Sequence, residues 1–325
     1  MYKKFFGLRE NPFNVNPDPR YLCLNRHMQE ALACLTYGVE SRKGFILLTG
    51  EVGTGKTTLL NKLLDWLHKQ RVTTAFIFNS RLNTTQFLDF MMNDFGIPCE
   101  AKSKSQVLMR LNQWLLERYQ NGETAVLIVD EAQNLSTQVL EEIRLLTNLE
   151  TSTDKLLQII LSGQPELEQK LNQPGLRQLR QRITLRCKTY PLSLEEIHSY
   201  IAGRLAVAGG DGRTIFSEEA IEAVHAQSGG IPRVVNLLCE HALIGAFVDQ
   251  QSPIQADTII EVAREFQLHE AERAATPGEP AVPAADNGRL MEALQTLVTL
   301  VDQLRHADSA RKGSYESNSR SPEEG

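Results

Sequence analysis

Long apolar runs are missing from this 325-residue chain: Phe45 to Leu48 and Ala125 to Val129 fall far short of the roughly 20 residues a helical membrane span needs. The opening Met1-Tyr2-Lys3-Lys4-Phe5-Phe6 is basic, but Arg9, Glu10 and prolines follow in place of a signal peptide's apolar stretch, which predicts a protein inside the cell. Cysteine is scarce. Its five residues, Cys23, Cys34, Cys99, Cys187 and Cys239, form no Cys-x-x-Cys pair, so they signal neither a zinc site nor a disulfide framework and read as buried reduced thiols. The seven histidines include no His-Glu-x-x-His, and Gly-x-Ser-x-Gly is absent, which excludes zinc-protease and serine-hydrolase chemistry. Nor is positive charge in excess: 34 basic against 40 acidic side chains leave a net −6, which argues against coating nucleic acid by bulk charge and leaves room for a local basic patch. No internal repeat is visible.

What is present, 42% hydrophobic residues in a length that suits about two domains, is enough for an ordinary buried core. From Gly44 to about Tyr190, short apolar runs alternate with amphipathic stretches, the pattern of a parallel sheet with crossover helices. Strands are predicted at Phe45 to Thr49, Thr74 to Asn79, Ala125 to Asp130, Leu156 to Ser162 and Ile183 to Cys187. Leu60, Leu63, Leu64 and Leu67 share one face of a helix after the first of these. Past that region helical signals take over: Ser193 with Glu196 makes a capping box, Ser217 precedes Glu218 and Glu219, Pro232 opens a helix, and a last helix covers Asp257 to Leu268. The fold class is therefore α/β, a parallel sheet flanked by helices over residues 1–190, then a small all-helical second domain over 191–270. Residues 271–325, rich in Ala, Pro, Gly, Ser and charge, read as a largely disordered tail. Within it, a short amphipathic helix around 288–306 carries Leu290, Leu294, Leu297, Val301 and Leu304 at coiled-coil spacing, either for a partner or for its own domain.

Gly50-Glu51-Val52-Gly53-Thr54-Gly55-Lys56-Thr57 fits Gly-x4-Gly-Lys-[Ser/Thr] and lies between the first strand and the Leu-rich helix. Glycines let successive backbone N–H groups turn toward a polyphosphate, and the helix N-terminus adds partial positive charge there. Lys56 can then bridge the β- and γ-phosphates while Thr57 takes a place on Mg²⁺; Thr58, next on the helix, completes the nucleotide-contacting set. Ala125-Val-Leu-Ile-Val-Asp130-Glu131 is an apolar strand ending in two carboxylates, which places them at the edge of the sheet where parallel folds bind ligands. Asp130 suits the Mg²⁺ shell and Glu131 the polarisation of an attacking water. Either Ser162 or Gln164, at the end of the next strand, can stand between these carboxylates and the γ-phosphate. Helical Arg177 and Arg180 and the strand-edge Arg182 can present a bidentate cation to a neighbouring subunit, or form a solvated basic face. Arg233, in Gly229-Gly230-Ile231-Pro232-Arg233, projects from a helix start toward whatever the lid covers.

Phosphate loop, Asp130-Glu131, polar strand end, arginine cluster and helical lid with Gly-x-Pro-Arg follow in an order that resembles AAA+ ATPases. More narrowly, Phe5-Phe6-Gly7-Leu8-Arg9-Glu10-Asn11-Pro12-Phe13, Pro17-Asp18-Pro19, Gly163-Gln164-Pro165-Glu166-Leu167 and Leu179-Arg180-Gln181-Arg182-Ile183 resemble the general secretion pathway protein A (ExeA-type) family, which includes secretion ATPases of exopolysaccharide and exosortase loci. That resemblance implies that Asn11, Pro12 and Phe13 lie near the adenine, that Arg182, or in its place Arg180, is a finger supplied in trans, that Arg233 is a lid sensor and that Asn79 restrains Glu131. It also implies a cytoplasmic Mg·ATP hydrolase that forms a homo-oligomer, sits peripherally at the inner membrane through partners, and energises or regulates a secretion or polysaccharide-export system. Members of the secretion branch carry a membrane span and a peptidoglycan-binding domain for which this sequence shows no segment. The competing expectation is a DNA-associated AAA+ regulator of the transposition-targeting or initiator type.

Overall fold

A computed structural model of the chain describes residues 1–14, 18–78, 82–98, 103–210 and 214–268. By internal contacts the chain divides into Met1–Glu270 and Ala271–Gly325, and the second unit, with the tail helix expected there, lies outside the described residues. In chain order the elements are α1 (Tyr2–Phe5), α2 (Arg26–Glu40), β1 (Phe45–Thr49), α3 (Lys56–Leu67), β2 (Val72–Ile77), α4 (Thr84–Asp94), α5 (Lys104–Gln120), β3 (Thr124–Val129), α6 (Thr137–Leu146), β4 (Leu157–Gly163), α7 (Pro165–Leu171), α8 (Arg177–Arg182), β5 (Leu185–Lys188), α9 (Leu194–Val207), α10 (Glu218–Ser228), α11 (Pro232–Val248) and α12 (Ala256–Glu265).

All five strands are parallel, in the order β2-β3-β4-β1-β5. Parallel strands buried on both faces read as continuous apolar runs, and β1, β3 and β4 do so because helices cover both sides. Alternate residues serve opposite layers: Leu47, Leu127, Val129, Ile159 and Leu161 join a core with α4 to α8, while Ile46, Leu48, Val126, Ile128 and Ile160 pack on α2 and α3. Crossovers leave β1 toward one edge of the sheet and reach β5 on the other, so the chain reverses direction across the sheet beside β1. Ligands of open parallel sheets bind at that place, outside the carboxyl ends of the strands.

The fifth strand begins at Leu185, two residues later than its apolar pattern predicts, because Leu176, Leu179 and Ile183 recur at helical spacing and pack into the core. Arg182 is consequently the last residue of α8 and not a strand-edge residue. The capping box at Ser193 and the helix starts at Ser217 and Pro232 are as the sequence predicts. Helices α9 to α12 enclose a third apolar core, and Phe6, Leu8 and Phe13 of the opening segment belong to it rather than to the sheet. Among the described cysteines all four are free; Cys187 and Cys239 are buried, Cys23 and Cys34 only partly so, and Cys34 and Cys187 bring their Sγ atoms to 2.6 Å.

Candidate functional site

Between β1 and α3 the chain makes a bend that its glycines permit. Gly53 and Gly55 take φ values of 79° and 93°, a left-handed region that other residues enter only under strain. At Gly53 space is limiting as well: a Cβ there would stand 2.8 Å from Cβ of Arg233 and 3.0 Å from Cγ2 of Ile231. The start of α11 lies against the loop, and the Arg233 amide donates to the Gly53 carbonyl at 3.2 Å. Lys56, nearly buried, donates from Nζ to the carbonyls of Gly50 (2.8 Å) and Glu51 (2.9 Å). Burial pulls its pKa below the ordinary lysine value, and the nearby carboxylates of Glu131 and Asp130 oppose that.

Strand register brings the remaining groups together. Leu161 pairs with Val129, so the next residues, Ser162 and Asp130, lie side by side. Ser162 Oγ donates to Asp130 Oδ1 at 2.7 Å and Thr57 Oγ1 donates to Asp130 Oδ2 at 2.8 Å. Glu131 follows with φ 52°, its Oε2 accepting from Gln164 Nε2 at 3.2 Å and from Gln133 Nε2 at 2.5 Å. Ser162 and Gln164, alternatives by sequence, therefore each hold a different carboxylate. Gln133 escaped the sequence reading, and its place two residues after Glu131 was the available signal.

A cavity of about 380 Å³ opens over the loop, within the usual size range for small-molecule sites. Val52, Gly53, Thr54, Gly55, Lys56, Thr57 and Thr58 form its floor, Glu131 one wall, and Arg233 and Asn236 of α11 the other. Gly50 and Glu51 contribute carbonyls to Lys56 instead of lining it. The Thr54 hydroxyl turns inward to Glu51 and Thr189. Pro12 and Phe13 do not line the cavity either: Phe13 is fully buried edge-on to Phe216 in the helical core, 6.0 Å between centroids, and Asn14 and Tyr21 face the cavity in their place.

A buried cation fixes that segment. Arg204 donates to the carbonyls of Pro12 (2.6 Å) and Asn14 (3.2 Å) and to Tyr200 Oη (2.8 Å), while Tyr200 Oη donates to Asn236 Oδ1 at 2.8 Å. Its guanidinium also lies 4.7 Å from the Tyr21 ring centroid and 5.3 Å from that of Tyr200, close enough for cation–π attraction. Arg177, Arg180 and Arg182 are exposed and outside the cavity, Arg180 donating to Asn172. Asn79 and Pro17 fall outside the described residues.

Residues 39–171 match the AAA domain family. Over 248 residues the chain is 47% identical to general secretion pathway protein A of Aeromonas hydrophila, across 76% of this chain and 45% of that one. This is an AAA+ protein, related to general secretion pathway protein A. It spans a little under half the length of that relative. A 109-residue stretch of the AAA+ protein is 32% identical to ATP-dependent DNA helicase Pif1 of Psychrobacter sp. (strain PRwf-1), covering 30% of this chain and 16% of the helicase. Among solved structures, Drosophila ORC bound to DNA matches with a TM-score of 0.62 at 19% identity, over 82% of this chain and 67% of that one. Cdc6p from Pyrobaculum aerophilum matches at 0.61 and 16%, over 79% and 71%. At such identities the likeness is one of fold.

Proposed function

We propose that this AAA+ protein binds ATP with Mg²⁺ and hydrolyses it to ADP and phosphate. A homo-oligomer would use that cycle to energise or regulate assembly of a cell-envelope secretion or polysaccharide-export system, from the cytoplasm and peripherally at the inner membrane through partners. The observation that carries the chemistry is the arrangement around Asp130, which joins the Thr57 and Ser162 hydroxyls one residue before a carboxylate that faces the cavity. The relationship to general secretion pathway protein A supports the assignment to secretion.

The donor set fits magnesium, a hard cation that keeps waters and substrate oxygens and needs few protein ligands. Thr57 Oγ1 and Asp130 Oδ2 would hold it, and among the described residues no cluster of three or more His, Cys, Asp or Glu competes for a metal. When bound, the ion would offset the negative charge of the phosphate oxygens. Loop amides and the Lys56 ammonium grip the triphosphate. Glu131 takes a proton from water as its oxygen bonds to the γ-phosphorus and the bond to the leaving ADP oxygen breaks. Arg233 reads the γ-phosphate from the lid, and Arg182 of one subunit approaches the site of the next.

Calorimetric titration of ATP with magnesium, alongside turnover, tests the proposal. Lys56→Ala is expected to abolish binding or turnover, and Glu131→Gln to keep binding while turnover falls about a hundredfold or more, the usual worth of a general base. Parent-level turnover in Glu131→Gln removes Glu131 as the base, and no heat with parent protein removes the proposal. Turnover is expected to be the same with and without DNA. Stimulation that fades steeply with salt would replace the secretion role with the DNA-associated one.

A further inference from the structure

Glu131 adopts a left-handed backbone conformation, φ 52° and ψ 36°, that non-glycine side chains hold only where their surroundings enforce it. The enforcing group is a polar ring behind the carboxylate. Gln133 Nε2 and Gln164 Nε2 both donate to the same oxygen, Oε2. Gln133 Oε1 accepts from the Gln164 backbone amide at 3.2 Å, which ties the turn after β3 to the end of β4. Lys170 Nζ donates to the carbonyls of Gln133 (3.1 Å) and Leu135 and fixes the turn from α7. Gly163 is small for the same reason, since a Cβ there would stand 2.8 Å from Gln133 Oε1. Among the described residues no side-chain donor reaches Glu131 Oε1, and Glu131 lines the cavity while Gln133 does not.

We propose that Gln133 is a positioning residue for Glu131: by holding Oε2 from behind, it leaves Oε1 as the oxygen that meets the attacking water. The inference rests on the hydrolase reading and adds to it a specific reason why the base is correctly aimed. A carboxylate free to rotate about its last torsion spends little time aligned with the water, and misplacement by about 1 Å can cost a hundredfold in rate. Gln133 does not line the cavity, so its loss should spare binding.

Gln133→Met keeps the side chain's length and removes both its donor to Glu131 and its acceptor for the Gln164 amide; Gln133→Ala is the second variant, and thermal unfolding identifies which of them is native. The expected result is a kcat about tenfold or more below the parent, with KM and calorimetric affinity for ATP within about twofold, because only transition-state alignment is lost. In a Glu131→Gln background, single-turnover rates should show no further loss from the Gln133 change, since both act through one group. A parent-level kcat in a native Gln133 variant, an effect on KM alone, or an undiminished loss in the Glu131→Gln background would each overturn the proposal. Parent protein that neither binds nor hydrolyses ATP would sink the hydrolase reading itself, a distinguishable failure.

Discussion

A methyl group at residue 53 has nowhere to go. The site combines φ 79° with Arg233 Cβ 2.8 Å from the would-be Cβ, so Gly53→Ala incurs left-handed strain of roughly 1–2 kcal/mol and a collision with the lid. Differential scanning calorimetry should show a melting temperature several degrees below the parent's, and ATP affinity should weaken about tenfold as the loop amides lose their aim. At this scale the tight glycine bend after β1 and the carboxylates that close β3 were legible, because such a bend demands glycines and an apolar strand ending in two acids marks the edge of the sheet. The choice between Ser162 and Gln164 was not, since it depends on register between β3 and β4, and register assigns one to each carboxylate. Pro12 and Phe13 misled for a related reason: an apolar side chain beside a cavity is as readily drawn into the neighbouring core, and Phe13 is.

On α9, Ile197, Tyr200, Ile201 and Arg204 fall at i, i+3, i+4 and i+7, so the period that makes this helix amphipathic also carries an arginine onto its buried face. That mismatch was readable in the sequence; its partners were not, because Pro12 and Asn14 lie some 190 residues away. A planar fork spreads its donors over three nitrogens and reaches two carbonyls and a hydroxyl in fixed directions, whereas an ammonium offers all its donors from one nitrogen at the end of a flexible stem. Arg204→Lys should therefore loosen residues 1–14 from the helical domain, seen as amide hydrogen exchange about tenfold or more faster in that segment, with the β-strands unchanged. Exchange unchanged throughout would show that Arg204 packs without tethering. Elements predicted from an apolar run or a helix cap, β1 and the helices opening at Ser193, Ser217 and Pro232, match the fold closely, since the local signal and the packing agree there. Helix α8 competed with the following strand for the same apolar residues and extended to Arg182.

Among the described residues three apolar cores form, two on the faces of the sheet and one within the helices, and the cavity over the glycine-rich loop draws its lining from both the sheet region and the helices. The arginines of α8 are exposed and outside that cavity, as a group supplied to another subunit would be. Arg182→Ala should lose turnover alone and regain it when mixed with Lys56→Ala, to roughly a quarter of sites on random mixing, because head-to-tail interfaces then pair an intact loop with an intact arginine. No recovery at saturating protein would place the stabilising cation elsewhere.

The Gly53 carbonyl that accepts from the Arg233 amide belongs to the same rigid peptide plane as the Thr54 N–H. A tilt of α11 would stretch that bond or drag with it the plane whose N–H donates to the Glu51 carbonyl at 3.3 Å, shifting the loop over which the cavity opens. If the loop holds a nucleotide as proposed, the position of α11 and the grip on the phosphates would be geared together through the main chain, and a substitution that merely alters the resting tilt of α11 would retune nucleotide exchange without touching any side chain in the pocket.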